Sequence, residues 1–485
     1  CLLAKSHTTT FLYGIHLLIS SSNPLKSIFE GLSSMETDDD GQPKRKGNLF
    51  TAGAHIVTAV IGSGVLSLPW ATAQLGWIGG AFSLSIFSLI TLFASFLLAD
   101  CYRFPGPISG TRNYTYNLAV MSHLGHSKSK LCVVAQFTSL VLVSIAYIVT
   151  ASLSMAGIKE VKCRHANGGD AECGVASGKY MVVYGVIEIV FSQVANFHKL
   201  AWLSSVAAIM SFGYCFIGIG LSIAKIVSVN HHSRTSLTGV TIGVDVTKEA
   251  KIWNSFTALG NIACAYTFSF VLIEIQNTIR AKQSENEVMK KASAIGVMVT
   301  TVIYMACGFL GYMAFGNESP GNLLTGSGFY EPFWLVDVAN VCIIVHLVGA
   351  YQVFSQPVFA LFEEWCAKLW PQSQFVTKEY PLEVPIVSGI RLNGLRLVFR
   401  TLYVVVGIFI ARVFPFFNIV MGLVGAVSFW PLTLYFPIEM CIAQRKIARW
   451  TSSWIWLKFV SVSCLLITVM ILISTIQGLV ANIGR

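Results

Sequence analysis

An apolar run from about Leu49 to Leu75 carries Gly62, Ser63 and Gly64 near its middle and Pro69 just beyond. It is long enough to cross a bilayer, which takes roughly 20 residues. In a helix interior glycine costs about 1 kcal/mol relative to alanine and proline about 3, so this span is written to break. Non-helical backbone at membrane depth survives only where protein or a water-filled cavity satisfies its freed amide and carbonyl groups. Two readings stay open on this stretch alone. It is a binding site built from unwound peptide groups, or a kinked helix packed through a face of small residues.

The rest of the chain places that span in a membrane protein. Only 12% of the 485 residues are charged and 54% are apolar, against about 25% charged in soluble domains. The net charge of +10 falls in short loops between apolar runs, which is the pattern of membrane topology and not of a basic groove for nucleic acid. No phosphate-cradling G-x-x-x-x-G-K-[ST] loop, nucleophile elbow or zinc-like cysteine pair occurs, so neither nucleotide hydrolysis nor covalent catalysis is expected, and no metal. Most of the 12 cysteines lie singly in apolar runs. Cys163 and Cys173 share one polar loop, and form a disulfide if that loop faces an oxidising side, or remain two thiols if it does not.

Window hydropathy gives about eleven spans. They lie near 49–73, 78–101, 131–157, 179–196, 200–227, 252–277, 292–315, 331–356, 395–413, 416–440 and 452–481. Residues 1–46 are expected to form a disordered polar tail, with residues 1–34 an upstream extension before Met35, and residues 47–485 one transmembrane domain. Lys44, Arg45 and Lys46 share a side with the loops holding Arg103, Arg112, Lys128, Lys130, Arg280, Lys282, Lys290, Lys291, Arg391, Arg396, Arg400, Arg445, Lys446 and Arg449. The rule that basic loops stay inside then puts the N-terminus in the cytoplasm and the C-terminus outside, along with the Cys163 loop. Asn317-Glu-Ser319 is an outward glycosylation sequon, crowded by Pro320.

An odd span count with a broken first span suggests an inverted repeat of five plus five with one span added, which predicts a second break in span six. That span holds Gly260, Ala263, Ala265, Thr267 and Ser269 but no Gly-x-Gly and no proline. Ordinary helix packing uses the same small residues.

Thr51–Ile56, Ala59–Leu68, Ala73–Trp77, Arg112–Tyr116, Leu272–Gln276, Ser319–Gly326, Ile344–Val353 and Phe429–Pro437 resemble, in consistent order, the motifs of plant amino acid permeases of the amino acid/auxin permease family. The likeness runs from residue 36 to about 480. It implies an all-α membrane protein of LeuT-like fold that takes up amino acids, broadly neutral ones, with protons across the plasma membrane, and no cofactor beyond the coupling H+. Carried over, Ile61, Gly62, Ser63, Gly64 and Val65 would face Ala265, Tyr266, Thr267 and Ser269 across the substrate. Half-helix N-termini would attract its carboxylate and free carbonyls its ammonium group. Coupling needs a titrating group inside the membrane. His55 in span one and His346 in span eight are the histidine candidates, and Glu274, Glu188 and Asp337 the acidic ones. Each has a structural alternative, a neutral group hydrogen-bonded between helices.

The chain departs from the family pattern where acids are replaced. Asn196 and His198 stand in the turn between spans four and five, Asn261 and Asn277 in span six, and Ile419 follows Asn418. Each swap removes a negative charge, which would make the pathway less attractive to cations. An auxin carrier, and a receptor that binds amino acid without moving it, are the alternative functions.

Overall fold

The computed structural model describes residue 45 and residues 47–167, 173–193, 201–228, 233–280, 284–325, 329, 331–384 and 387–483. The expected tail lies almost wholly outside these residues, as does the turn holding Asn196 and His198.

Most of the described apolar segments are helical. Among the described residues nine helices are long and apolar enough to cross a membrane, against the expectation of about eleven spans. The difference is one of segmentation. The second half of span one runs into span two across a kink at Gly76, and α5 (Gly178–Ser192) is too short by itself to qualify.

Span one begins as α1 (Leu49–Val60), opened by a reciprocal cap in which Asn48 and Thr51 bond each other's backbone N–H groups at 2.7 and 3.0 Å. The helix stops at Val60 because Ile61 and Gly62 are extended. A short 3-10 turn, Ser63–Ser67, then leads into α2 (Leu68–Asp100). Pro69 does not break α2. It occupies the first turn, where its missing N–H costs nothing. The sharp bend comes instead at Gly76, with φ 76°, where a side chain would strike the backbone of Gly239 and Leu237. The freed peptide groups there are taken by that same loop, Val240 N–H donating to Ala73 O at 2.9 Å and Ile78 N–H to Leu237 O at 3.2 Å.

Span six mirrors the interruption without glycine or proline. Its first half, α7 (Lys248–Ala265), is capped by Thr247 and followed by non-helical Tyr266 and Phe268, one 3-10 turn, and α8 (Leu272–Gln276). Between the two broken spans run α3 (Tyr116–Leu124), α4 (His126–Asn167), α5 and α6 (Ala201–Val227). Beyond them come α9 (Glu285–Phe315), α10 (Phe333–Leu369), α11 (Gln374–Thr377) and α12 (Gly394–Val413). Span ten is α13 (Phe417–Ser428) and α14 (Phe436–Gln444), joined by a π-helical stretch over Phe429–Tyr435 that contains Pro431. The sequence reading missed this widening. The last span is α15 (Ser452–Ile483). Two small antiparallel hairpins, Arg103–Pro105 with Gly110–Arg112 and Glu379–Val384 with Val387–Asn393, lie between helices.

The end of the bundle that carries Asn48 is tied by charge. Asp100 binds Lys290 at 2.6 Å and Arg445 at 3.0 Å, while Glu285 binds Arg103 at 2.7 Å and Arg112 at 3.3 Å. At the opposite end Cys163 and Cys173 are joined in a disulfide. The sequon residue Asn317 is engaged there as well. Its Nδ2 donates to Asp245 Oδ2 at 2.8 Å and its Oδ1 accepts from the Tyr312 hydroxyl at 2.9 Å.

Candidate functional site

The two interruptions meet halfway along the bundle. Gly64 makes the approach possible, since a Cβ built on it would sit 3.0 Å from the Ala265 Cα. Tyr304, fully buried on α9, spans the pair: its hydroxyl lies 2.6 Å from Val60 O and 3.0 Å from Ala265 O. The last carbonyls of both half-helices therefore share one proton donor. The α9 helix holds the junction further through Thr301, whose Oγ1 accepts from the Tyr266 hydroxyl at 3.1 Å and contacts Ser88 Oγ at 2.8 Å.

Two small cavities adjoin the junction. One of about 60 Å³ is bounded by Gly62, Ser63, Gly64, Ala265, Thr267 and Ser428. The other, about 110 Å³, is bounded by Ile61, Gly62, Phe268, Val271, His346 and Val353. Tyr147, Phe270 and Phe354 border both. A Cβ on Gly62 would meet nothing within 4 Å, so its missing side chain is open space. A third and larger cavity, about 460 Å³, lies toward the disulfide end between Trp70, Trp253, Asn322, Asn418 and Gln477. No aspartate, glutamate, lysine or arginine is among the described residues lining any of the three.

Of the residues carried over from the family likeness, Ile61, Gly62, Ser63, Gly64, Ala265 and Thr267 come together at these cavities. Val65 is buried in helix packing, Tyr266 turns to Thr301, and Ser269 is buried with its hydroxyl unpartnered among the described residues. Tyr147, Tyr304 and Phe354 escaped the sequence reading. Each stands in an apolar run where nothing in a single sequence separates it from ordinary core.

The titratable candidates are scattered. His346 borders the 110 Å³ cavity, its Nδ1 2.9 Å from Ala207 O. His55 is half-buried on α1 and lines neither central cavity. Glu188 is wholly buried between α5 and α10, accepting from Gln352 Nε2 at 2.6 Å. Glu274 on α8 accepts the backbone N–H of Tyr116, at the start of α3, at 3.2 Å. Asp337 sits in the first two turns of α10 beside Lys162, 3.7 Å away, and lines neither central cavity. The amides that replace family acids are themselves bonded. Asn261 Nδ2 donates to Asn418 Oδ1 at 3.3 Å, and Asn277 Oδ1 accepts from the Tyr102 hydroxyl at 2.8 Å.

A helical membrane body whose first and sixth spans break beside small cavities with no charged residue in their described lining is the build of a secondary transporter. The comparison with known proteins narrows the class. Residues 45–481 match the family model described as transmembrane amino acid transporter protein, and the chain belongs to that family, the amino acid/auxin permeases. It is 53% identical to amino acid permease 6 of Arabidopsis thaliana over 454 residues, which is 93% of this chain and 94% of that one. It is 52% identical to amino acid permease 8 of the same plant over 446 residues, 92% and 94% of the two chains. The likeness to lysine histidine transporter-like 6 is 30% over 474 residues, 95% and 97%.

Proposed function

We propose that the protein is a proton-coupled symporter that carries neutral amino acids across the plasma membrane, without covalent chemistry. The observation that supports this most is the uncharged cavity between the two interruptions. An amino acid with a neutral side chain brings its own opposite charges, and peptide dipoles can hold both. The first N–H groups of the half-helix after Gly62 lack intrahelical partners and offer a site for the carboxylate. The ammonium group needs acceptors, and the carbonyls of the unwound segments, with the Thr267 and Ser428 hydroxyls on the same cavity, supply them.

The arginine-rich end of the bundle faces the cytoplasm in this reading, and the disulfide end faces out. One proton moving down 100 mV releases about 2.3 kcal/mol, enough for roughly a fiftyfold gradient of a neutral substrate. His55, Glu188 and Glu274 are the groups through which that proton passes or to which it binds.

The deciding experiment is uptake of labelled amino acid into proteoliposomes with and without an inward proton gradient. Gradient-dependent accumulation is expected. Uptake indifferent to pH and potential would remove the coupling, and binding without uptake would make the chain a receptor.

A further inference from the structure

The two central cavities differ in chemistry. The smaller is edged by peptide groups and the Ser63, Thr267 and Ser428 hydroxyls, while the larger is walled mainly by Ile61, Phe268, Phe270, Val271, Val353 and Phe354. If the charged head of an amino acid occupies the first, its side chain enters the second. Its 110 Å³ is about the bulk of three or four waters, which suits a side chain of a few heavy atoms.

His346 is the sole residue lining either cavity, among those described, with a side-chain nitrogen. The carbonyl of Ala207, 2.9 Å from Nδ1, can only accept, so in the neutral ring Nδ1 carries the proton and Nε2 is left as an acceptor. Nε2 is buried and has no partner among the described residues. The Tyr214 ring meets the imidazole edge-on at 5.8 Å and supplies no acid to charge it. The other side-chain polar groups on this cavity are hydroxyls. That of Thr58 already donates to carbonyls of its own helix, and Tyr147 stands at the junction with the smaller cavity.

We infer that His346 is a specificity-determining residue that accepts a hydrogen bond from the tip of the substrate side chain, favouring glutamine-like amides over isosteres without an N–H. A buried acceptor left unpaired is penalised, so a substrate that satisfies it gains over one that merely fills the space. A carboxylate tip of the same length fails twice, since it brings a second acceptor and an unpaired charge into an apolar pocket. This inference rests on the amino acid carrier reading above.

The test compares glutamine with its methyl ketone isostere, in which CH3 replaces the side-chain NH2, as inhibitors of labelled alanine uptake by the unmodified protein. Glutamine is expected to inhibit about tenfold better or more. In His346→Leu that advantage should collapse toward one, and in His346→Gln, which keeps an acceptor, part of it should return. Ligand-induced thermal stabilisation in detergent reads the same ratios for a variant that binds but does not transport. Equal inhibition by the two compounds in the unmodified protein overturns the inference, as does an advantage that survives intact in His346→Leu. Failure of the unmodified protein to take up or bind any amino acid would instead sink the carrier reading itself.

Discussion

The Tyr304 hydroxyl lies 2.6 Å from the Val60 carbonyl oxygen, and 3.0 Å from the matching carbonyl of Ala265 in the other interrupted span. A third helix thus stabilises both breaks with one group. Tyr304→Phe leaves two buried carbonyls without their donor, a loss of about 1–3 kcal/mol. The expected result is a lower thermal midpoint in detergent and reduced uptake, with surface delivery retained. An unchanged midpoint and uptake would show that water or substrate serves those carbonyls equally well.

Gly62 and Gly64 are two residues apart and should respond oppositely to added bulk. Space lies open beside Gly62, whereas a Cβ on Gly64 would meet Ala265 at 3.0 Å. Gly62→Leu fills the cavity and should abolish uptake while expression and folding stay normal. Gly64→Ala forces the two broken spans apart and should cost about 1–3 kcal/mol of stability. Normal uptake by Gly62→Leu would remove the first-span site.

His55 makes no side-chain hydrogen bond to a described residue and is half-buried on the helix that ends at the site. If it takes part in coupling, His55→Ala flattens the dependence of uptake on external pH without abolishing substrate binding. A profile of unchanged shape returns this histidine to a packing role. Uptake rates measured at several external pH values, at fixed membrane potential, decide between the two.

Asp245, in the loop that straps the disulfide end, is held below the usual carboxylate range first by the Thr241 N–H, then by the Asn317 amide and Arg234. Its folded value is lower than its unfolded one, so its contribution is fully present above the unfolded value of about 3.9 and fades as pH falls through the folded value. Hydrogen exchange of residues 241–246, corrected for intrinsic rate, should therefore be constant from neutral pH down to about 5 and rise only below about 4. Asp245→Asn should show raised exchange already at neutral pH.

Much of the architecture was legible because a bilayer leaves few choices. Long apolar stretches must be helices there, since no water is present to pair an open backbone. Glycine at 62 and 64 announced the first interruption in the same terms. The second was not marked by composition, because α7 gives way to a 3-10 turn through Tyr266, Thr267 and Phe268, residues that an uninterrupted helix also accepts. Only the symmetry of a repeated fold pointed there.

The sequence by itself therefore determined that this chain crosses a membrane many times, that its first span carries helix-weakening glycines near its middle, and which family it resembles. It could not determine which side chains look into the hollow. Val65 and Tyr266 turn away although their neighbours line it, while Tyr147 and His346 arrive from two other helices and Tyr304, on a third, binds the carbonyls where the half-helices end. Those meetings depend on how far each helix is rotated about its own axis, and packing across the whole bundle fixes that angle, not the local run of residues.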